Sequence, residues 1–575
     1  MTRERRRSSL QGFKDVFEGL WVPPRLRVKA AGNSHAGERA NLLEHARSNS
    51  YTGGGGGEEP RESTFTENFF DLMYVLPMQN LFPLPIADAR GLLLFCTYFA
   101  TVFNTWLGEA FYNTRFDTDD VPSRVSTVVQ MVCVAGMASG LARGLGAGDS
   151  TFALSYAALR TMLVLKYCRV ALHLPAVRPI ALGFIAGFTA SIALWVGSAL
   201  VPAERQITLA LAGLALDYAT PWLLALTPRF RMVPVHAAHM PERFAGFTCL
   251  VLAGSLFSVQ MQMPPLGAVN DWALAPIYVS ALSVAVPLSF LSLYAAGVGL
   301  PAAELGGFTL GRTSAKLRIY GYLYLHMPLA LAIMVSSNAA FVGTGAAFGG
   351  AAAGGSGKLV LPLPPLSPAA RSLMCGAWAV ATLMLGAVHA LGGAQDSGGA
   401  SGAEQQQQQQ QQQQGYGSSD GGLAQQRAEL VAAKCRVRQR RSKLQRLALR
   451  VLSATCLALL PSVLGASSVS VYMTAIACVH MAQVLATAFR KRRFVAKAVR
   501  AQRRGSQLFA NLAGADGGSP RGGNPISEQW PPPYYRGLAE APAEGSAASG
   551  GSGAAAAAAT TTAAAAAAAH GASGK

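Results

Sequence analysis

Glu67–Asn80, E-N-F-F-D-L-M-Y-V-L-P-M-Q-N, opens on a carboxylate, runs on as an apolar segment and is interrupted by Pro77. It reads as the first of many membrane-spanning helices. A carboxylate at the mouth of such a helix is costly in lipid, so it must face protein, water or a solute path. Glu67 follows Thr64 by three residues, the spacing of a capping box. Asp71 sits one turn further in, on the same face, where capping no longer explains it.

The rest of the chain agrees with this opening. Of 575 residues, 51% are hydrophobic and only 13% charged, about half the charged fraction of soluble domains. The mean hydropathy is +0.28, and the apolar residues come in long runs, which points to lipid as the solvent. The predicted fold is all-α, a polytopic transmembrane bundle of 10 to 12 helices, with spans near 67–85, 91–112, 124–143, 151–171, 179–201, 206–226, 244–262, 272–297, 319–343, 372–393, 446–465 and 468–489. The eight cysteines form no C-x-x-C pair and all but Cys435 lie in apolar runs, as buried thiols would.

Charge provides a second reading of the topology. With both termini in the cytosol, all but six of the 48 lysines and arginines fall on the cytosolic side, as the positive-inside rule requires. The exceptions are Arg90, Arg143, Arg205, Lys358 and Arg371 on the far side and Arg160 mid-span. A net charge of +19 distributed in this way speaks for topology and not for nucleic acid.

Five segments follow: a basic, disordered arm (1–66), a ten-helix bundle (67–393), a Gln-rich then basic loop (394–445), two last helices (446–489) and a basic, then Gly/Ser/Ala-rich tail (490–575). Residues 344–370 read as an external Gly/Pro-rich loop, and Gln405–Gln414 as low complexity. The basic runs Lys434–Arg450 and Arg490–Arg504 suit anionic lipid at the cytosolic face, or act as topology anchors. Pro531–Tyr534, P-P-P-Y, has the form of a ligand for WW-type domains, or is a chance match in a proline-rich tail.

Several ionisable groups carry the functional question. Arg160, near the middle of the fourth span, calls for a carboxylate partner inside the bundle, and Asp71 or Asp217 of the sixth span is the economical choice. Such a pair either fixes helix packing or gates a path. His326, beside the helix breaker Pro328, either relays protons or packs. His236, His239 and Glu242 have the spacing H-x-x-H-x-x-E. Three ligands interrupted by Pro241 make a poor metal site, and the plainer reading is a loop whose Glu242 and Arg243 anchor the seventh span. Arg115–Asp120 with Arg124 puts Asp117, Asp119 and Asp120 in a charge-dense cytosolic loop that binds a cation or pairs with itself. No metal or cofactor is assigned, and no nucleophile–base arrangement points to an enzyme.

Together these blocks resemble the low-temperature-requirement A (LtrA) family. The resemblance rests on E-N-F-F-D-L-M-Y-V (67–75), W-L-G-E-A-F-Y-N-T-R-F-D-T-D-D (106–120), F-A-L-S-Y-A-A-L-R (152–160), L-A-L-D-Y-A-T-P (214–221), H-M-P-E-R-F-A-G-F-T (239–248) and Y-L-Y-L-H-M-P (322–328). It implies a multi-spanning membrane protein without an established activity. It also implies that Glu67, Asp71, Asp117, Asp119, Asp120, Arg160, Asp217, Glu242, Arg243 and His326 occupy motif positions. One departure stands out: where the family reads V-L-G-E-S in the seventh span, this chain has Val251-Leu252-Ala253-Gly254-Ser255 and lacks the acid. E-N-F (67–69) and E-R-F (242–244) open spans six apart, which suggests two parallel six-helix halves.

The leading functional expectation is a secondary transporter or permease with Glu67, Asp71, Arg160, Asp217 and His326 on a charged midplane cavity. The alternative is a non-transporting scaffold or stress factor acting through its basic cytosolic segments. The first predicts side chains converging on a water-reachable cavity, the second closed pairs in a dry bundle.

Overall fold

A computed structural model describes residues 24–26, 63–84, 86–117, 120–143, 150–228, 230, 232–233, 235–236, 239–263, 274–297, 299–300, 312–352, 365–392 and 444–489. The chain divides into two compact units, Met1–Arg492 and Arg493–Lys575, and the second lies outside the described residues. So do Asp119, Gln405–Gln414, Arg490–Arg504, Pro531–Tyr534 and most of the N-terminal arm.

The described fold is helical. Its helices are α1 (Phe65–Met73), α2 (Val75–Leu81), α3 (Ala89–Arg115), α4 (Val121–Arg143), α5 (Thr151–His173), α6 (Arg178–Leu200), α7 (Ala203–Leu226), α8 (His239–Gln260), α9 (Leu274–Ala295), α10 (Thr313–Tyr324), α11 (His326–Ala352), α12 (Pro368–Leu391), α13 (Leu444–Leu464) and α14 (Val469–Phe489). Two residues of the arm that was expected to be disordered form β1 (Arg25–Leu26), antiparallel to β2 (Phe116–Asp117), with Arg25 opposite Asp117.

Among the described residues ten helices are long and apolar enough to cross a membrane, with α10 and α11 counted as one. The sequence reading expected about twelve, within a range of ten to twelve. The other two segments are α5, which matches the rest in length but carries Arg160, Lys166 and Arg169, and the broken pair α1–α2. The break falls at Tyr74, three residues before Pro77, whose ring nitrogen has no hydrogen to give the helical ladder. Pro328 has the same effect at Leu325, between α10 and α11.

Two boundaries differ from expectation. α11 runs to Ala352, into the segment read as a loop, because Gly and Ala there are apolar enough to extend it. α8 begins at His239, so Glu242 and Arg243 lie in its first turn and not in a loop; Pro241 is tolerated there, where the first N–H groups have no helical partner. The cysteines also divide: Cys375 is buried, whereas Cys249, Cys456 and Cys478 lie on the outer surface.

α3 is the axis of the bundle. It touches α2, α5, α7, α8 and α11, and 67% of its most apolar window is buried. Its polar residues are compatible with that burial because Thr97 and Thr101 turn their hydroxyls back onto carbonyls one turn earlier, at 2.7 Å. α4 packs on α5 through Gly140, where an added Cβ would fall 2.8 Å from Phe152 Cα and 2.9 Å from its Cβ. Gly140→Ala is therefore expected to cost about 1–3 kcal/mol, since backbone must move to admit the methyl group. Gly246→Ala on α8, which meets nothing within 4 Å, should be neutral or slightly stabilising. Thermal unfolding of the two variants in detergent checks this, and equal midpoints would contradict it.

Candidate functional site

The charged side chains singled out from the sequence do not meet at one point. They form separate buried clusters, all anchored on α3. The first joins α1, α3 and α8. Asp71 Oδ1 accepts from Trp106 Nε1 and from Arg243 Nη2, each at 2.8 Å. Glu67 completes the capping box with Thr64 and lies 3.7 Å from His239 Nε2 and 3.8 Å from Arg243 Nη1. His239 is in turn 3.6 Å from Glu242, whose other oxygen accepts from Ser63 at 3.1 Å. Trp106 is packed among Phe103, Phe244 and Phe247, which aim the indole N–H at Asp71. His326 stacks on Phe244 at 4.1 Å and holds the Tyr322 carbonyl through Nδ1 at 2.9 Å. It packs beside this cluster without bonding to its charges.

The second cluster joins α3, α5, α6 and α7. Arg160 is 1% exposed and Asp217 0%. The guanidinium Nε lies 3.6 Å from Asp217 Oδ1 and donates to the Tyr156 hydroxyl at 3.0 Å. That hydroxyl donates to Asp217 Oδ2 and accepts from Asn104 Nδ2 at 3.1 Å. The Ser191 hydroxyl adds a bond of 2.7 Å to the same carboxylate oxygen. The guanidinium is flanked by the Tyr156 and Phe188 rings, 5.4 and 5.0 Å from their centroids, a favourable place for a desolvated cation. Gly108 of α3 supplies the space: a Cβ there would come within 2.6 Å of Arg160 Nη1. Of the two partners proposed for Arg160, the structure selects Asp217, and Asp71 takes Arg243.

A third cluster was missed in the sequence. Lys166 of α5 pairs with Glu109 of α3 and donates to Gln130 Oε1 of α4 at 3.0 Å, while Gln130 Nε2 donates to Glu109 Oε2 at 2.9 Å. All three are buried. Lys166 looked like the edge of a cytosolic loop, yet it points inward. No periodic signal marked it, since steps of six and three residues turn Arg160, Lys166 and Arg169 toward different sides of a helix. Arg169 extends the series: its Nη2 reaches Asp120 Oδ2 at 2.6 Å, and Asp120 Oδ1 also accepts from the Ser123 N–H at 2.9 Å. Asp120 is thus the cap of α4 and a partner of α5. Arg124 is exposed in the first turn of α4, and its N–H bonds the Asp120 carbonyl. Asp117 lies in β2.

Two cavities, of about 10 and 20 Å³, lie elsewhere: one among Arg115, Tyr167, Ile180 and Met232, the other among Ser255, Ser283, Ser336, Ser337 and Trp378. Each holds about one water at most. Gly254, where the resembled family carries an acid, faces the Phe82 ring, 3.4 Å from where a Cβ would stand. Among the described residues no group of three or more His, Cys, Asp or Glu is placed to hold a metal.

Many long apolar helices, held together by ion pairs sealed away from water, define an integral multi-pass membrane protein. The chain belongs to the family described as Bacterial low temperature requirement A protein (LtrA), which it matches over residues 62–486. No curated protein and no solved structure matches it.

Proposed function

We propose that this protein is a permease-type transporter, not an enzyme, held here in a closed arrangement, with Asp71–Arg243 as the gate between two six-helix halves. Twelve spans, formed by the ten long helices, α5 and α1–α2, with both termini cytosolic, belong to the same proposal. The observation that carries it is the meeting of E-N-F and E-R-F. These segments open the first and seventh spans, and there Asp71 of one bonds Arg243 of the other beneath Trp106. A buried charge pair across the junction of two halves is an expensive device for mere cohesion, and intramembrane ion pairs commonly mark solute paths. The scaffold alternative draws on a different observation: Arg160 and Asp217 are buried, 1% and 0% exposed. The basic runs and P-P-P-Y remain proposed contacts for anionic lipid and a WW-type partner.

The test is a leak assay in proteoliposomes with an entrapped pH-sensitive dye. Asp71→Asn and Arg243→Gln should each raise ion flux more than tenfold, because removing one partner of a buried pair shifts the closed state by several kcal/mol. The exchange Asp71→Arg with Arg243→Asp should restore closure. Folded variants with unchanged flux would remove the transport reading.

A further inference from the structure

We infer that the seam between α12, α13 and α14 binds a phosphate-bearing anion, with Arg450 as its positive pole. The inference does not depend on the transport reading; it comes from a buried cation and the unpartnered groups beside it. Among the buried cations Arg160, Lys166 and Arg243 each have a carboxylate, whereas Arg115 lies over the Phe111 ring and Lys316 on the Phe230 carbonyl. From Phe244 onward no described residue is acidic. Arg450 nevertheless lies inside, 5% exposed, on a helix read from the sequence as opening with a surface-anchoring basic run.

Its partners are neutral: Nη1 donates to Gln483 Oε1 and Nη2 to the Leu293 carbonyl at 3.3 Å. A guanidinium buried without a counter-charge is costly. The groups around it add unpartnered polar atoms. Gln483 has given its oxygen to Arg450, and its buried Nε2 has no acceptor. His480, three residues earlier on α14, is fully buried with neither ring nitrogen bonded, against Phe290 and Trp378. Gly386 of α12 keeps the approach narrow, with the place of its missing Cβ 3.2 Å from Arg450 Cβ.

A donor cluster with a forked cation at its centre fits a phosphate oxygen pair. The location suits one too. α13 and α14 are peripheral, with 22% and 33% of their apolar windows buried. Arg450 is six residues into α13, roughly 9 Å from its first described turn. Basic pockets between helices at the cytosolic face are where lipid phosphates bind. The phosphate can come from a lipid headgroup or from solution, and the experiment separates the two.

Full-length protein in dodecyl maltoside micelles, which carry no phosphate, is titrated with phosphatidylglycerol and, separately, with inorganic phosphate, and its thermal midpoint is followed. A rise with the lipid alone assigns a headgroup, and a rise with both assigns a site open to solution. In either case Arg450→Gln should weaken the apparent affinity about tenfold or more, the loss expected for a charge-assisted bond. If that variant does not fold, Gln483→Leu, which keeps Arg450 but removes the spare donors, is read in the same way. A wild-type midpoint indifferent to both additions, or a variant that responds like wild type, overturns the site.

Discussion

Arg160→Ala is expected to destabilise the bundle by about 3–5 kcal/mol, the range for breaking a buried ion pair from one side. The reason lies in what remains. Asp217 is 0% exposed, and without Arg160 its charge would keep only the hydroxyls of Tyr156 and Ser191. Tyr156 loses a donor at the same moment, since Arg160 Nε feeds the hydroxyl that feeds Asp217. Arg160→Met with Asp217→Asn should recover most of the loss. The amide still accepts from Tyr156 and Ser191, and replacing both charges of a buried pair by neutral groups is often harmless. The readout is the thermal midpoint in detergent for both single variants and the double. A single Arg160→Ala cost below about 1 kcal/mol would mean that the pair contributes little to the fold. A recovered fold without recovered flux would show the pair to be more than a packing device.

Much of this was readable beforehand, and the misses have common physical causes. Glu67–Asn80 showed a proline inside an apolar run and was read as one helix over 67–85, whereas the helix breaks at Tyr74, three residues before Pro77. The Arg160–Asp217 pair was one of two named alternatives: a mid-span arginine demands an acid, but helix order alone does not say which one is near. That depended on α6 packing against both α5 and α7, which brings Arg160 to Asp217, and on Gly108 leaving space for the guanidinium. Arg243 was read as an anchor because Pro241 suggested a loop, whereas a proline in a first turn leaves the helix intact. Lys166 and Arg450 were counted with the cytosolic loops, since both lie near the ends of apolar runs. Sequence position gives the depth of a residue but not the side of the helix it occupies. Where a neighbouring helix supplies a partner, the side chain turns inward.

Lys166→Met should cost as much as Arg160→Ala, about 3–5 kcal/mol, although nothing in the local sequence marks Lys166 as interior. Lys166, Glu109 and Gln130 close a triangle in which each side chain bonds the other two. Methionine fills the space of the lysine stem but leaves the Glu109 carboxylate, 1% exposed, with a single amide donor. Lys166→Met with Glu109→Gln should restore most of the stability, because two facing amides can satisfy each other where a lone carboxylate cannot. Arg169→Gln provides the internal scale. Its side chain is 16% exposed, and Asp120 keeps the Ser123 N–H when the arginine is gone, so a loss of roughly 1 kcal/mol is expected. The order along α5, with positions 160 and 166 costly and 169 mild, follows from how completely each cation is desolvated and from the backbone N–H that the buried Asp120 keeps. Thermal midpoints of the three single variants, measured in one detergent, test that order. Equal losses at 166 and 169 would mean that burial does not set the strength of these pairs.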